Sequence, residues 1–119
     1  MAFYRANLGG GNEVNLANPD IISQATMAQN ATRSITVTKK PRYVVLTTNR
    51  QSDTTGRGQC FLYNVKTDTY TYGAYTSDGY LNSKNSSGKP TLITSVTSSS
   101  VGLKNTNAAS VRTTCFIYY

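Results

Sequence analysis

The chain has 119 residues, enough for one domain with a genuine core. It sets twelve Lys and Arg against five Asp and Glu, a net charge of +7, and contains no His and no Trp. Without imidazole, Ser-His-Asp and Cys-His nucleophilic catalysis are excluded, and one Glu with four Asp leaves few groups for proton transfer. Thr, Ser and Asn together number 41, which points to a hydroxyl-rich β-scaffold, non-enzymatic, with half-wet faces.

Residues 1–30 read as an N-terminal arm. Phe3, Tyr4, Arg5 and Leu8 form an apolar-aromatic tip suited to assembly contacts, and Gly9-Gly10-Gly11 then breaks any regular element. Asn18-Pro19-Asp20 resembles a helix start, with Asn as N-cap and Pro in the first turn. Ile21, Ile22, Ala25 and Ala28 fall on one helical stripe, so a short helix is expected over 19–28, with an extended segment as the competing reading.

A β-domain is expected over 31–119. From Arg33 the period becomes two: Ile35 and Val37 alternate with Ser34, Thr36 and Thr38. Lys39-Lys40-Pro41 interrupts this strand, because Pro41 has no N–H to donate to a ladder. Tyr43-Val44-Val45-Leu46 suits a central strand, and Asn49 to Gly58 a loop. Cys60 to Val65 and Tyr70-Thr71-Tyr72 form a hairpin about Lys66-Thr67-Asp68-Thr69. Residues 76–90 read as a long polar loop. Three strands follow: one on Leu92, Ile93 and Val96, one on Val101 and Leu103, and one from Val111 to Tyr119. The last places Cys115, Ile117 and Tyr119 on one face and Phe116 and Tyr118 on the other. About seven short strands at this spacing predict an all-β, antiparallel, jelly-roll-like β-sandwich behind a Gly-rich arm.

No spacing of Cys suits a metal, and no P-loop ending follows the glycine run, so no metal, cofactor or catalytic residue is expected. Cys60 and Cys115 each sit in an apolar stretch, as buried thiols or as one bridge between strands. No apolar run reaches membrane-spanning length, and the first residues lack the apolar core of a secretory signal, so cytoplasmic synthesis without membrane insertion is expected. The basic residues are scattered, with one cluster at Lys39-Lys40-Pro41-Arg42.

The best recognition surface in the sequence is Tyr70, Tyr72, Tyr75 and Tyr80 with Asp78 and Asn82. Tyr faces stack on sugar rings, and Asp or Asn side chains hold sugar hydroxyls. The competing reading makes some of these tyrosines ordinary strand residues. Phe61, Tyr63, Tyr70 and Tyr72 could instead stack nucleic-acid bases on a sheet, although no RNP-type signature accompanies them.

Three stretches carry a resemblance. Ala2-Phe3-Tyr4-Arg5 before a glycine run, ITVTKKPRYVVLTTN (35–49) and SVTSSSVGLKNTNAASVRTTCFIYY (95–119) resemble segments of small virion proteins encoded by phages and prophages of gut Firmicutes. The resemblance implies a non-enzymatic structural role in the virion, as a capsid-decoration, fibre or tail component. It implies assembly with itself, as a trimer, and with other virion proteins; the Tyr-rich loop, read from the residues themselves, is the part expected to face a host surface glycan. It carries over no functional residues. The alternatives are a carbohydrate-binding module and, less favoured, a domain that binds single-stranded nucleic acid.

Overall fold

The computed structural model describes residues 5–7, 13–50, 58–76 and 92–119. Ten strands stand in these segments: β1 (Arg5–Asn7), β2 (Glu13–Asn15), β3 (Ile21–Met27), β4 (Thr32–Thr36), β5 (Tyr43–Arg50), β6 (Gly58–Asn64), β7 (Thr69–Thr76), β8 (Ile93–Val96), β9 (Ser100–Lys104) and β10 (Val111–Tyr118). The described residues contain no helix. A five-stranded sheet of order β3-β10-β5-β6-β7 and a three-stranded sheet of order β4-β9-β8 are antiparallel throughout. The fold is therefore an all-β sandwich, as the alternation of apolar and hydroxyl residues predicts. In the glycine-bearing arm, β1 and β2 pair with each other, Arg5 opposite Asn15 and Asn7 opposite Glu13.

The apolar run Tyr43-Val44-Val45-Leu46 opens β5 and takes the middle of the larger sheet, where both faces are buried. Val44 and Leu46 face the smaller sheet, with Ile117, Cys115 and Val111 of β10, Met27 of β3, Ile35, Val101, Leu103 and Ile93. Tyr43 and Val45 face the other way, with Tyr118, Cys60, Leu62 and the partly buried Phe116. Leu16, from the segment before β3, joins this second cluster, and the Tyr118 hydroxyl donates to its carbonyl at 2.6 Å.

The helix expected over 19–28 is instead strand β3. Its whole length pairs with β10, from Ile21 opposite Ile117 to Met27 opposite Val111. The inward positions are Ile21, Ser23, Ala25 and Met27, a period of two. The helical stripe in the sequence is the weaker of two overlapping patterns, since a helix this short is marginal alone and two adjacent β-branched residues favour the pleat. The sandwich consequently begins at Ile21, inside the segment read as the arm.

The two cysteines do not meet. In β10 Cys115 lies opposite Leu46, whereas Cys60 lies opposite Thr47, so the two side chains occupy opposite faces of one sheet. Neither is in a disulfide, and both are buried. Burial pushes the Cys115 thiol up to about 12, with the nearby Arg33 guanidinium pulling weakly the other way.

Two polar devices fix the sheets to each other. Arg33 projects inward from β4: Nη1 donates to Ser23 Oγ at 2.5 Å, and Nη2 donates to Thr113 Oγ1 at 2.8 Å. At one end of the sandwich the fully buried Asn105 amide donates to the carbonyls of Met27 (3.0 Å), Ala28 (3.1 Å) and Ala109 (2.8 Å). Its Oδ1 accepts the Asn107 N–H at 2.9 Å, and its own N–H donates to Ala31. Asn30 supplies the left-handed turn there, at φ 64°, a conformation Asn tolerates better than most residues.

Candidate functional site

The surface built around Tyr70 lies on the hairpin of β6 and β7. Asn64 closes β6, and its Oδ1 accepts the Thr67 N–H at 3.3 Å. Asp68 completes the turn at φ 53°, which Asp tolerates because its short side chain bonds locally. The Thr67 and Thr69 hydroxyls bond each other at 2.7 Å. β7 then returns with Tyr70 directly opposite Tyr63.

That register makes the two rings a stacked pair. Their centroids are 4.2 Å apart and their planes differ by 4°. The Tyr63 hydroxyl donates to Asp68 Oδ1 at 2.8 Å, so the carboxylate fixes the ring edge-on to the turn. Burial raises the Tyr63 hydroxyl well above the ordinary phenol range, and its hydrogen bonds to Asp68 and Tyr70 add to this. At pH 7 Tyr63 is a neutral donor held by a carboxylate, not a base.

The basic cluster is adjacent to this hairpin. The Val65 N–H donates to the Arg42 carbonyl at 3.0 Å, tying the turn to the loop of Lys39 to Arg42. Lys39 Nζ stands 5.4 Å over the ring of Tyr119, a cation–π arrangement, and Arg42 Nε donates to the Tyr119 carbonyl oxygen at 2.7 Å. The Tyr119 N–H donates to Asp20 Oδ2 at 2.8 Å.

Of the sequence candidates, Tyr70 stands in this arrangement. The backbone places Tyr72 opposite Phe61, two residues along β7. Tyr75 is the residue that the register skips, since Gln59 pairs with Ala74 and Gly58 with Thr76. Asp78, Tyr80 and Asn82 lie outside the described residues, as do Phe3, Tyr4 and Leu8 of the arm, while Arg5 opens β1. The acceptor beside Tyr70 is thus Asp68, on the turn, with Tyr63 as its donor. A Tyr five positions before an Asp in a hairpin was the signal, and it becomes readable only with the register in hand.

Asp20 and Asp68 do not form an acid–base pair. Asp20 precedes β3 and Asp68 follows β6, three to four strand spacings apart in the larger sheet, roughly 14–19 Å. Glycosidase pairs stand about 5–9.5 Å apart. No cluster among the described residues could hold a metal ion, and they include no helix long and apolar enough to cross a membrane. What the hairpin offers chemically is a rigid aromatic face, one carboxylate and several hydroxyls, a shallow recognition surface.

Comparison with protein-family models, curated proteins and solved structures finds no match to this chain.

Proposed function

We propose that this chain is a non-enzymatic structural protein of a bacteriophage particle, a small sandwich that assembles with copies of itself and with other particle proteins. The observation that carries this reading is where the chain puts its chemically capable side chains. Cys60 and Cys115 are buried on opposite faces, Arg33 is clamped between sheets, Tyr118 bonds a main-chain carbonyl, and Asp20 holds the Tyr119 N–H. Each serves the scaffold. The resemblance of 2–5, 35–49 and 95–119 to small virion proteins supplies the viral context. Mass spectrometry of particles sedimented from an induced lysogen that encodes this chain tests it. The chain is expected at a fixed copy number per particle, and its absence from particles while present in the lysate defeats the reading.

A carbohydrate-binding reading is favoured by one specific observation, the stacked Tyr63–Tyr70 pair with Asp68 beside it. The pair is half-buried, with Tyr63 packed against the core, and a partly accessible aromatic ring next to a hydroxyl acceptor suits a shallow sugar site. A glycan array on the full chain, repeated with Tyr70→Ala, separates the readings. Binding abolished by the substitution supports sugar recognition, and a blank array for the unaltered chain removes it.

A further inference from the structure

We infer that a second copy of the chain pairs antiparallel with β3, joining two five-stranded sheets into one across a two-fold axis. Four strands form the edges of the two sheets: β3, β7, β4 and β8. Natural sheets protect such edges with short strands, bulges, prolines or inward charges. β8 has four residues and a register shift between Ile93 and Ser95. β7 carries the bulge that skips Tyr75. β4 has five residues and points the Arg33 charge inward. β3 has none of these devices: its seven residues IISQATM are uncharged, free of Pro and Gly, and in unbroken register with β10.

The backbone of β3 is aimed correctly for this. The Tyr118 carbonyl accepts from Arg42 on the β5 side of β10, and the Ile117 carbonyl accepts from Asp20 on the β3 side. By alternation, Ile117, Cys115, Thr113 and Val111 turn their backbone groups toward β3 and engage Ile21, Ser23, Ala25 and Met27. The N–H and C=O groups of Ile22, Gln24 and Thr26 therefore point to the open edge. No strand among the described residues pairs there, and all three side chains are exposed. Ile22, at 62% exposure, is the exposed large hydrophobic residue of the described part.

The occupant that fits is β3 itself. Pairing about Gln24 sets Ile21 opposite Met27, Ile22 opposite Thr26 and Ser23 opposite Ala25 of the second copy, with the two Gln24 amides facing each other. No like charges face each other on the paired strands, which matters for a chain of net charge +7. Arg112, beside Thr26 on the outer face, ends up roughly 20 Å from its counterpart by strand spacings, more than twice the ~8 Å screening length at physiological salt. Among the described residues the closest like charges are the two Arg33 guanidinium groups, roughly 10 Å apart on the inner face, so association tightens as salt is added. The contact is two-fold and builds dimers; a three-fold assembly would need another surface. The pairing does not rest on the virion reading, and absence of the chain from particles leaves it standing.

Light scattering after size exclusion and sedimentation equilibrium on the full chain test it. The expected species is twice 12.9 kDa, with its dissociation constant falling at higher salt. Gln24→Lys places two ammonium groups opposite each other on the axis and yields monomer, its unchanged β-sheet circular dichroism showing that the fold survives. Gln24→Cys is joined between two chains by a short bis-thiol-reactive linker, because residues directly opposite have Cβ atoms about 4.5–5.5 Å apart, wider than a disulfide spans. A monomer at every concentration overturns the inference, as does an oligomer unaffected by Gln24→Lys.

Discussion

Replacing Asn105 by alanine removes a side chain that binds the β3–β4 turn to the β9–β10 loop. The amide is fully buried and contacts five polar atoms: three carbonyl oxygens, the Asn107 N–H and the Asn107 side-chain amide. Deletion leaves these without that partner in a space water does not fill without cost. An unsatisfied buried donor or acceptor costs about 1–3 kcal/mol. Carbonyls with a second lone pair engaged sit at the low end, so the sum is about 3–5 kcal/mol. Domains of this size have only about 5–15 kcal/mol in total, so the variant should be close to unfolding at 37 °C. Urea denaturation followed by circular dichroism reads the effect as a lower midpoint at constant m-value. Asn105→Asp should be worse than alanine, because it sets a negative carboxylate against three carbonyl oxygens. A loss below about 1 kcal/mol for alanine, or an aspartate variant as stable as the parent, would refute the view of Asn105 as a structural hub.

Three other outcomes follow from the buried polar groups. In the native chain neither Cys60 nor Cys115 should react with a disulfide reagent on the minute scale, while both titrate after denaturation; a native cystine would contradict their placement on opposite faces. Arg33→Ala should cost about 1–3 kcal/mol in urea unfolding, and Arg33→Met less, because it fills the volume without burying a charge; a methionine variant less stable than alanine would argue against this. Cys115, Tyr43, Tyr63 and Tyr118 are all raised by burial, so each stays protonated in the fold after its unfolded counterpart has ionised. Their stabilising contribution is complete below the ordinary values of 9.0 for the thiol and 10.0 for the phenols, and is lost as pH climbs toward the raised ones. Melting temperature should therefore be level up to about pH 9 and fall above it, with Cys115→Val flattening the first part of the fall; a flat profile to pH 11 would count against these burial assignments.

The strands that alternate cleanly were legible in the sequence, and the reason is physical. In β10, Cys115 and Ile117 do face one core cluster, and Phe116 and Tyr118 the other. The central position of β5 followed from its unbroken apolar run, and the β6–β7 hairpin from its turn residues. β3 was not legible, because IISQATMAQ carries apolar residues at both spacings and its inward positions include Ser23. Ser23 is half-buried there, with its hydroxyl bonded by Arg33 of another strand. The same limit hid the site. Tyr70 could be proposed from composition, but its partners Tyr63 and Asp68 depend on cross-strand register. Asn105 sits in a Lys-Asn-Thr-Asn run that reads as a solvated loop, and no local pattern marks which of its two asparagines plugs the end of the sandwich.

The second face of the larger sheet decides how much of the N-terminal segment is available for assembly. In a two-layer sandwich that face would be wet, and its edge is: Ile22, Gln24 and Thr26 are exposed. Its middle is not, because Tyr43, Val45, Cys60, Leu62 and Tyr118 are buried together with Leu16. The Tyr118 hydroxyl and the Leu16 carbonyl form the tie that seats Leu16 on this face. The chain just before β3 is therefore part of the fold's own cover, and a partner could take it only by breaking that tie. Leu16→Ala should cost about 2–4 kcal/mol through the cavity it leaves, and Tyr118→Phe about 1 kcal/mol through the lost hydrogen bond. In the double variant the two effects should fall short of additive by 0.5 kcal/mol or more, since a mobile residue 16 no longer holds its carbonyl against the phenol. Urea midpoints of the four proteins measure this coupling. Strict additivity would mean that Leu16 is seated independently of Tyr118, and the segment would then be free to exchange onto a neighbouring copy.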